Sequence, residues 1–259
     1  MKKALCLETI YTDIDFYNRF GQAARDGYQY VEFWAWQDKD LDRILALCQE
    51  NNLEVAAFSG DQDYSLCDAL QAGRYIDFIS RSILAAKKLG SPFLVIHSNA
   101  LGEGGVVIDH YASLSDAEKY AACLETLKQC AILAEQSGVT LVLEPLNSLY
   151  DHAGNYLTTP DITVRLVRAV ASPAIKMLFD IYHMQIMTGN IINTLTKYRE
   201  EIGYIHVADV PGRKEPGAGE INYANVFRAL RDQGYTGFVG LECFPDPPFE
   251  QVATLFLKM

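Results

Sequence analysis

Four short apolar runs in the second half of the chain each close on a residue that could hold a metal ion or move a proton. They are Leu141-Val142-Leu143-Glu144, Met177-Leu178-Phe179-Asp180, Tyr204-Ile205-His206 and Val239-Gly240-Leu241-Glu242. A carboxylate at the end of a buried strand is costly unless something cationic meets it. Taken singly, each acid could cap a loop or pair with an arginine. The equivalent placement of all four points instead to convergence on one divalent ion. Glu144, Asp180, His206 and Glu242 make an oxygen-rich set suited to Mn²⁺ or Mg²⁺ and tolerable for Co²⁺ or Zn²⁺.

Further candidates lie around them. His183 follows Asp180 by three residues, so one turn could bring both to the same mouth; it could equally be a helix-start histidine bonded to backbone. The loop Asp209–Tyr223 carries Arg213 and Lys214 as cations near the site, with Arg213 suited to a carboxylate or a hydroxyl-rich substrate through its planar fork. Glu220 is a candidate substrate contact or a partner for Arg213. His97, at the end of an earlier apolar run, could serve a second metal or the substrate. Trp34 and Trp36 could line the mouth, but are expected as core and rim packing.

The elements that must position these residues alternate from end to end. Strand patterns fall at Ala4–Leu7, Tyr30–Trp34, Glu54–Phe58, Phe93–His97, Thr140–Glu144, Ile175–Asp180, Ile202–Ala208 and Phe238–Glu242. Helical periods occupy Asp15–Asp26, Lys39–Asn51, Ala72–Leu89, Asp116–Ser137, Pro160–Val170, Met184–Arg199 and Tyr223–Gln233, with a short last segment at Pro248–Leu257. Thr159 can cap the helix that Pro160 opens, and Gly27, Gly90 and Gly138 follow helices as stops. Eight strands in strict alternation with helices predict an α/β fold, a single (β/α)8 TIM barrel spanning residues 1–259 as one domain. A doubly wound sheet would be the alternative, but no glycine-rich phosphate fingerprint follows the first strand.

Composition agrees with an enzyme of small molecules. The chain has 259 residues, 49% of them hydrophobic and 21% charged, with a formal net charge of −11, which argues against a nucleic-acid partner and against an anionic membrane surface. No apolar stretch is long enough for a membrane span. The N-terminal apolar run is short and broken by Glu8, unlike an export signal. Six scattered cysteines without a C-x-x-C pair read as reduced thiols, so a cytoplasmic location is expected.

At these segments the chain resembles the xylose isomerase-like barrel superfamily, and within it the hydroxypyruvate isomerase group. The resemblance is carried by Leu143-Glu144-Pro145-Leu146-Asn147, Phe179-Asp180-Ile181-Tyr182-His183-Met184-Gln185, Gly240-Leu241-Glu242, and most specifically by the loop from Asp209 to Tyr223 with its Gly219-Glu220-Ile221-Asn222-Tyr223 close. It covers the C-terminal half well and the first half by architecture. It implies that Glu144, Asp180, His206 and Glu242 ligate one divalent metal, that Glu144 and Glu242 form the acid/base pair, and that His183 and Arg213 contact substrate. His206 is a departure: the hydroxypyruvate isomerase pattern often has glutamine there, whereas the related ketose 3-epimerases carry histidine.

The expected activity is a metal-dependent isomerisation through an enediolate, acting on a small sugar or hydroxy-keto acid. Ketose 3-epimerisation is the alternative, since two glutamates on opposite faces of a substrate would invert a centre. An endonuclease IV-type apurinic-site nuclease would need more metal ligands than the chain offers around His206. A non-catalytic sugar-binding barrel is the remaining rival. Barrels of this superfamily often associate, so a homo-oligomer is possible, though no segment marks an interface.

Overall fold

The alternating apolar runs and helical segments close on themselves. In the computed structural model, which describes residues 1–246 and 248–259, eight strands form a closed barrel in chain order and the last pairs in parallel with the first. The strands are β1 Lys2–Cys6, β2 Tyr30–Phe33, β3 Glu54–Ser59, β4 Phe93–Ile96, β5 Thr140–Leu143, β6 Ile175–Asp180, β7 Ile202–Val207 and β8 Phe238–Leu241. The helices are α1 Phe16–Arg25, α2 Leu41–Asn51, α3 Ala72–Leu89, α4 Asp116–Ser137, α5 Pro160–Val170, α6 Ile181–Met187, α7 Ile191–Lys197, α8 Tyr223–Asp232 and α9 Phe249–Lys258. Glu144 and Glu242 therefore stand one residue beyond their strands, in the mouth where strand carboxyl ends and the following loops meet.

Strand alternation decides which side chains look inward. Val142, Leu178, Tyr204 and Phe238 form an inner cluster with Ala4, Ala57 and Val95, and Tyr204 and Phe238 stack with ring centroids 5.7 Å apart. Two residues further along the same strands come Glu144, Asp180, His206 and, at Gly240, an inward position with no side chain. The register sets Asp180 beside His206 and His206 beside Gly240. The larger apolar core fills the layer between strands and helices. Cys123 and Cys130, seven apart on α4, are both in it, and all six cysteines are buried and free.

Helix ends follow local chemistry, with two departures from expectation. Gly90 and Gly138 end α3 and α4 in the left-handed region, at φ 71° and 75°. Thr159 precedes Pro160 as expected, but its side chain makes no capping bond. The single helix expected over Met184–Arg199 is two, α6 and α7, separated by Gly189 and Asn190 at φ 59° and 52°. α6 also starts earlier, because Asp180 Oδ1 accepts from the amides of Tyr182 at 2.7 Å and His183 at 3.4 Å and so caps it. Among the described residues no helix is long and apolar enough to cross a membrane.

Candidate active site and metal centre

Asp180 shows how the site is built. One carboxylate oxygen caps α6, which turns the other, Oδ2, towards the barrel mouth with no hydrogen bond. Glu144, Asp180, His206 and Glu242 each present a ligand atom within 4.8 Å of the others, and all four are buried. Glu144 Oε1 and His206 Nδ1 also lack hydrogen bonds, although His206 Nδ1 lies 3.7 Å from Glu144 Oε1 and 3.2 Å from Glu242 Oε2. Buried oxygens left without partners and aimed at one another are unfavourable by themselves. A cation between them removes the cost, so this donor set could hold a metal ion.

The charges on the cluster fit that reading. Burial opposes a charge on His206, yet the carboxylates of Glu32 and Glu242 prevail and hold its proton well above the usual imidazole range. Burial lifts Asp180 to about 7, against the pull of Arg213. Burial also works against ionisation of Glu144, but the neighbouring imidazoles of His206 and His97 keep it well below the ordinary carboxyl value. For Glu242, Arg213 and His206 outweigh burial and bring it to about 2. Protons on His206 and Asp180 thus offset crowded negative charge, and these are the protons a divalent ion would displace.

Arg213 reaches the same cluster. Its Nη2 is 2.5 Å from Glu242 Oε2 and 3.5 Å from Asp180 Oδ2, with the guanidinium near the rings of Tyr182 and Phe244. The loop carrying it is pinned from below by Asp209, whose carboxylate accepts from the amides of Val210, Gly217 and Ile221. Gly219 is required there, since a Cβ would fall 2.0 Å from the Val210 carbonyl oxygen. That closure turns Glu220 outward. It is exposed, lies outside the cavity lining and accepts from Gln185 Nε2 at 3.3 Å, so it neither pairs with Arg213 nor faces the site. Lys214 also points away, to Asp246 at 2.9 Å.

His97 and His183 do enter the site. His97 is held by Asp61, which takes its backbone amide at 2.6 Å and its Nδ1 at 3.0 Å, and its Nε2 stands 3.3 Å from Glu144 Oε2. Burial disfavours its charge, but Asp61 and Glu144 raise it to about 10. His183 is fully buried on α6, where burial and Arg213 both keep the ring neutral. Trp34, expected as packing, instead lines the cavity and donates from Nε1 to Glu242 Oε1 at 2.6 Å. Trp36 is the packing residue, bonded to Ser82 Oγ at 2.9 Å.

Sequence reasoning missed several lining residues. Glu32 breaks the apolar run of β2 from within, where the other four close theirs, and it reaches His206 Nε2 at 3.3 Å and the Tyr204 hydroxyl at 2.5 Å. Asp61, Asp151 and His152 sit in loops, where no periodicity singles them out. The cavity they enclose measures about 580 Å³ and opens at the mouth of the barrel.

The xylose isomerase-like TIM barrel family model matches residues 20–258. Hydroxypyruvate isomerase of Escherichia coli (strain K12) is 30% identical over 251 residues, covering 94% of this chain and 93% of that protein. The 2-oxo-tetronate isomerase of Cupriavidus necator is 30% identical over 246 residues, covering 92% and 91%. Among solved structures, an AP endonuclease, family 2, from Brucella melitensis superposes with TM-score 0.90 at 26% identity, covering 99% of this chain and 98% of that one. The D-psicose 3-epimerase of Clostridium cellulolyticum H10 gives TM-score 0.84 at 20% identity over 100% and 97%, a likeness of fold. A family match over nearly the whole barrel, together with isomerases alike along their full length, places this chain in the xylose isomerase-like TIM barrel family.

Proposed function

We propose that the protein is a divalent-metal-dependent isomerase that works through an enediolate on a small hydroxy-carbonyl compound, a sugar or a hydroxy-keto acid. The observation that carries this reading is the cluster of Glu144, Asp180, His206 and Glu242, whose ligand atoms lie within 4.8 Å of one another at the ends of consecutive strands. The hydroxypyruvate and 2-oxo-tetronate isomerases it resembles act on compounds of that class. These four residues would hold one ion, with Mn²⁺ or Mg²⁺ favoured by the oxygen-rich set and Co²⁺ or Zn²⁺ accommodated. When bound, the ion supplies positive charge beside the carbonyl and hydroxyl oxygens and so lowers the cost of an enediolate.

The chain's own residues supply the rest. Glu144 and Glu242 flank His206 from two strands, and one of them removes the proton from carbon while the other supports the returning proton. Both are held ionised at neutral pH in the ion-free cluster by the cations around them. Arg213 and His183 orient the substrate oxygens, Asp61 fixes His97 against Glu144, and Trp34 with Phe244 shields the mouth from water. Protons moved between adjacent carbons give aldose–ketose isomerisation. Removal and return on opposite faces of one carbon give 3-epimerisation, the second reading, which the histidine at position 206 favours.

The endonuclease reading has less support despite the Brucella likeness. Duplex recognition rests on cations placed along phosphates, whereas this chain carries −11 and its cavity presents Arg213 among many carboxylates. An NMR screen with Mn²⁺ over hydroxypyruvate, tetruloses, pentuloses, fructose, psicose and tagatose tests the proposal. Conversion that stops with chelator and returns with metal is expected; full activity of rigorously metal-free protein would refute the cofactor assignment.

A further inference from the structure

Two histidines in the cavity wall present opposite hydrogen-bonding faces, and the surrounding bonds fix which is which. Asn147 settles the first. Its Oδ1 accepts from the amides of Tyr150 at 3.1 Å and Asp151 at 3.2 Å, so the amide orientation is set and Nδ2 is the nitrogen. Nδ2 has two hydrogens, one directed to Asp151 Oδ2 and the other to His183 Nδ1, each at 2.7 Å. His183 Nδ1 is therefore an acceptor, and in the neutral ring the proton sits on Nε2. That N–H is buried and makes no hydrogen bond, with Asp180 Oδ2 3.5 Å away.

His152 is the mirror case. Its Nδ1 lies 2.7 Å from the carbonyl oxygen of Gly105, which can only accept, so Nδ1 carries the proton and Nε2 keeps a lone pair. A Cβ at Gly105 would fall 2.7 Å from His152 Cε1, so the loop clamps the ring closely. His152 is 6% exposed, lines the cavity and leaves Nε2 buried without a partner. The two rings stand 5.2 Å apart at 66°. Two nitrogens bridged by one oxygen lie roughly 4.5–5.5 Å apart, which this spacing permits. Asp151 joins the two histidines in a grouping of metal-ligand type, but Asn147 Nδ2 already occupies Asp151 Oδ2 and His183 Nδ1, so a neutral amide, and not a cation, knits that trio.

We propose that His152 and His183 form an acceptor–donor subsite for one substrate hydroxyl, with His152 as its specificity-determining member. The inference rests on the isomerase reading and refines its substrate class to compounds that present a hydroxyl here. A hydroxyl can accept from His183 Nε2–H and donate to His152 Nε2 together. A carboxylate can only accept, and would set its lone pairs against His152 with Asp151 nearby. The lining carboxylates Glu32, Asp61, Asp63 and Glu103 add to that preference.

Two substitutions separate this role from simple loop anchoring. In H152N the side-chain amide can keep the bond to Gly105 but loses the acceptor at Nε2. In H152Q an amide oxygen can reach the Nε2 position while the Gly105 bond is given up. With Mn²⁺-loaded enzyme we expect H152N to lower kcat/KM for D-erythrulose or D-fructose about tenfold, mainly through KM, a loss of the size of one hydrogen bond at a site built for it. The same change should cost hydroxypyruvate less, and H152Q should lose less than H152N on the ketose. The reverse order, or equal losses on both probes, would overturn the inference. If the wild type exchanges none of the probes, the isomerase reading fails, yet long-range ¹H–¹⁵N NMR of the intact protein still decides the subsite. The expected tautomers are Nδ1–H for His152 and Nε2–H for His183, and either one inverted contradicts the proposal.

Discussion

Glu32 on β2 and His206 on β7 meet across the barrel, with a carboxylate oxygen 3.3 Å from Nε2, the nitrogen turned away from Glu144 and Glu242. The contact exists because Gly240 has no side chain; a Cβ there would stand 2.5 Å from the Glu32 carboxylate oxygens. Glu32 thus sets a carboxylate behind the imidazole whose Nδ1 faces the cluster, a placement like that of the carboxylates behind metal-binding histidines.

Replacing Glu32 by Gln is accordingly expected to weaken Mn²⁺ binding by about 10–100-fold while the fold persists. Isothermal titration of the metal-free protein checks this, with circular dichroism as the control. Wild-type affinity in the variant would remove Glu32 from the metal-holding arrangement.

Glu144→Gln and Glu242→Gln each remove a carboxylate that can take a proton. At saturating Mn²⁺ we expect kcat/KM to fall by about 10²–10⁴-fold in either variant, with thermal melting little changed. Near wild-type turnover in one of them would defeat its acid/base role.

Arg213→Ala should act on two observables. Loss of a charged hydrogen bond to substrate raises KM by about tenfold or more. Arg213 also keeps the Glu242 carboxyl low, at about 2, in the metal-free protein, so its removal lets Glu242 protonate at higher pH there, as NMR titration of the metal-free variant would show. A Glu242 titration that stays in place, with KM unchanged, would count against both roles.

Asp180 gives a signed pH dependence in the metal-free protein. Burial raises its folded value to about 7 from the ordinary 3.8, so the folded state keeps a proton that the unfolded state releases. Its contribution to stability is therefore full below the unfolded value and lost as pH climbs from about 4 to 7. Asp180→Asn should gain stability relative to the parent across that interval, measured by urea unfolding at several pH values. A constant difference would show that Asp180 ionises normally in the folded chain.

Much of this was legible in the sequence because barrel strands are local apolar runs and their ends are where chemistry collects. The strand endings at Glu144, Asp180, His206 and Glu242 needed only that regularity. Glu32 lies inside β2 and closes no run, and its use depends on space left by Gly240, a neighbour across the barrel that local pattern does not reveal. His152 was invisible for a similar reason, since its partner Gly105 is 47 residues away in another loop. Glu220 was misplaced because the loop's path is set by Asp209, whose three amide contacts close only in the folded structure. The break between α6 and α7 lay hidden inside a continuing helical period, with Gly189 as the available sign.

Deuterium wash-in tests the central claim most directly. The Mn²⁺-loaded protein is incubated in D₂O with hydroxypyruvate and with C4–C6 ketoses, and label at the carbon next to the carbonyl is followed by NMR. We expect metal-dependent incorporation into at least one of them, abolished in Glu144→Gln and Glu242→Gln. Exchange at wild-type rates in both variants, or no exchange into any of these compounds, would contradict an enolising site built on those two glutamates.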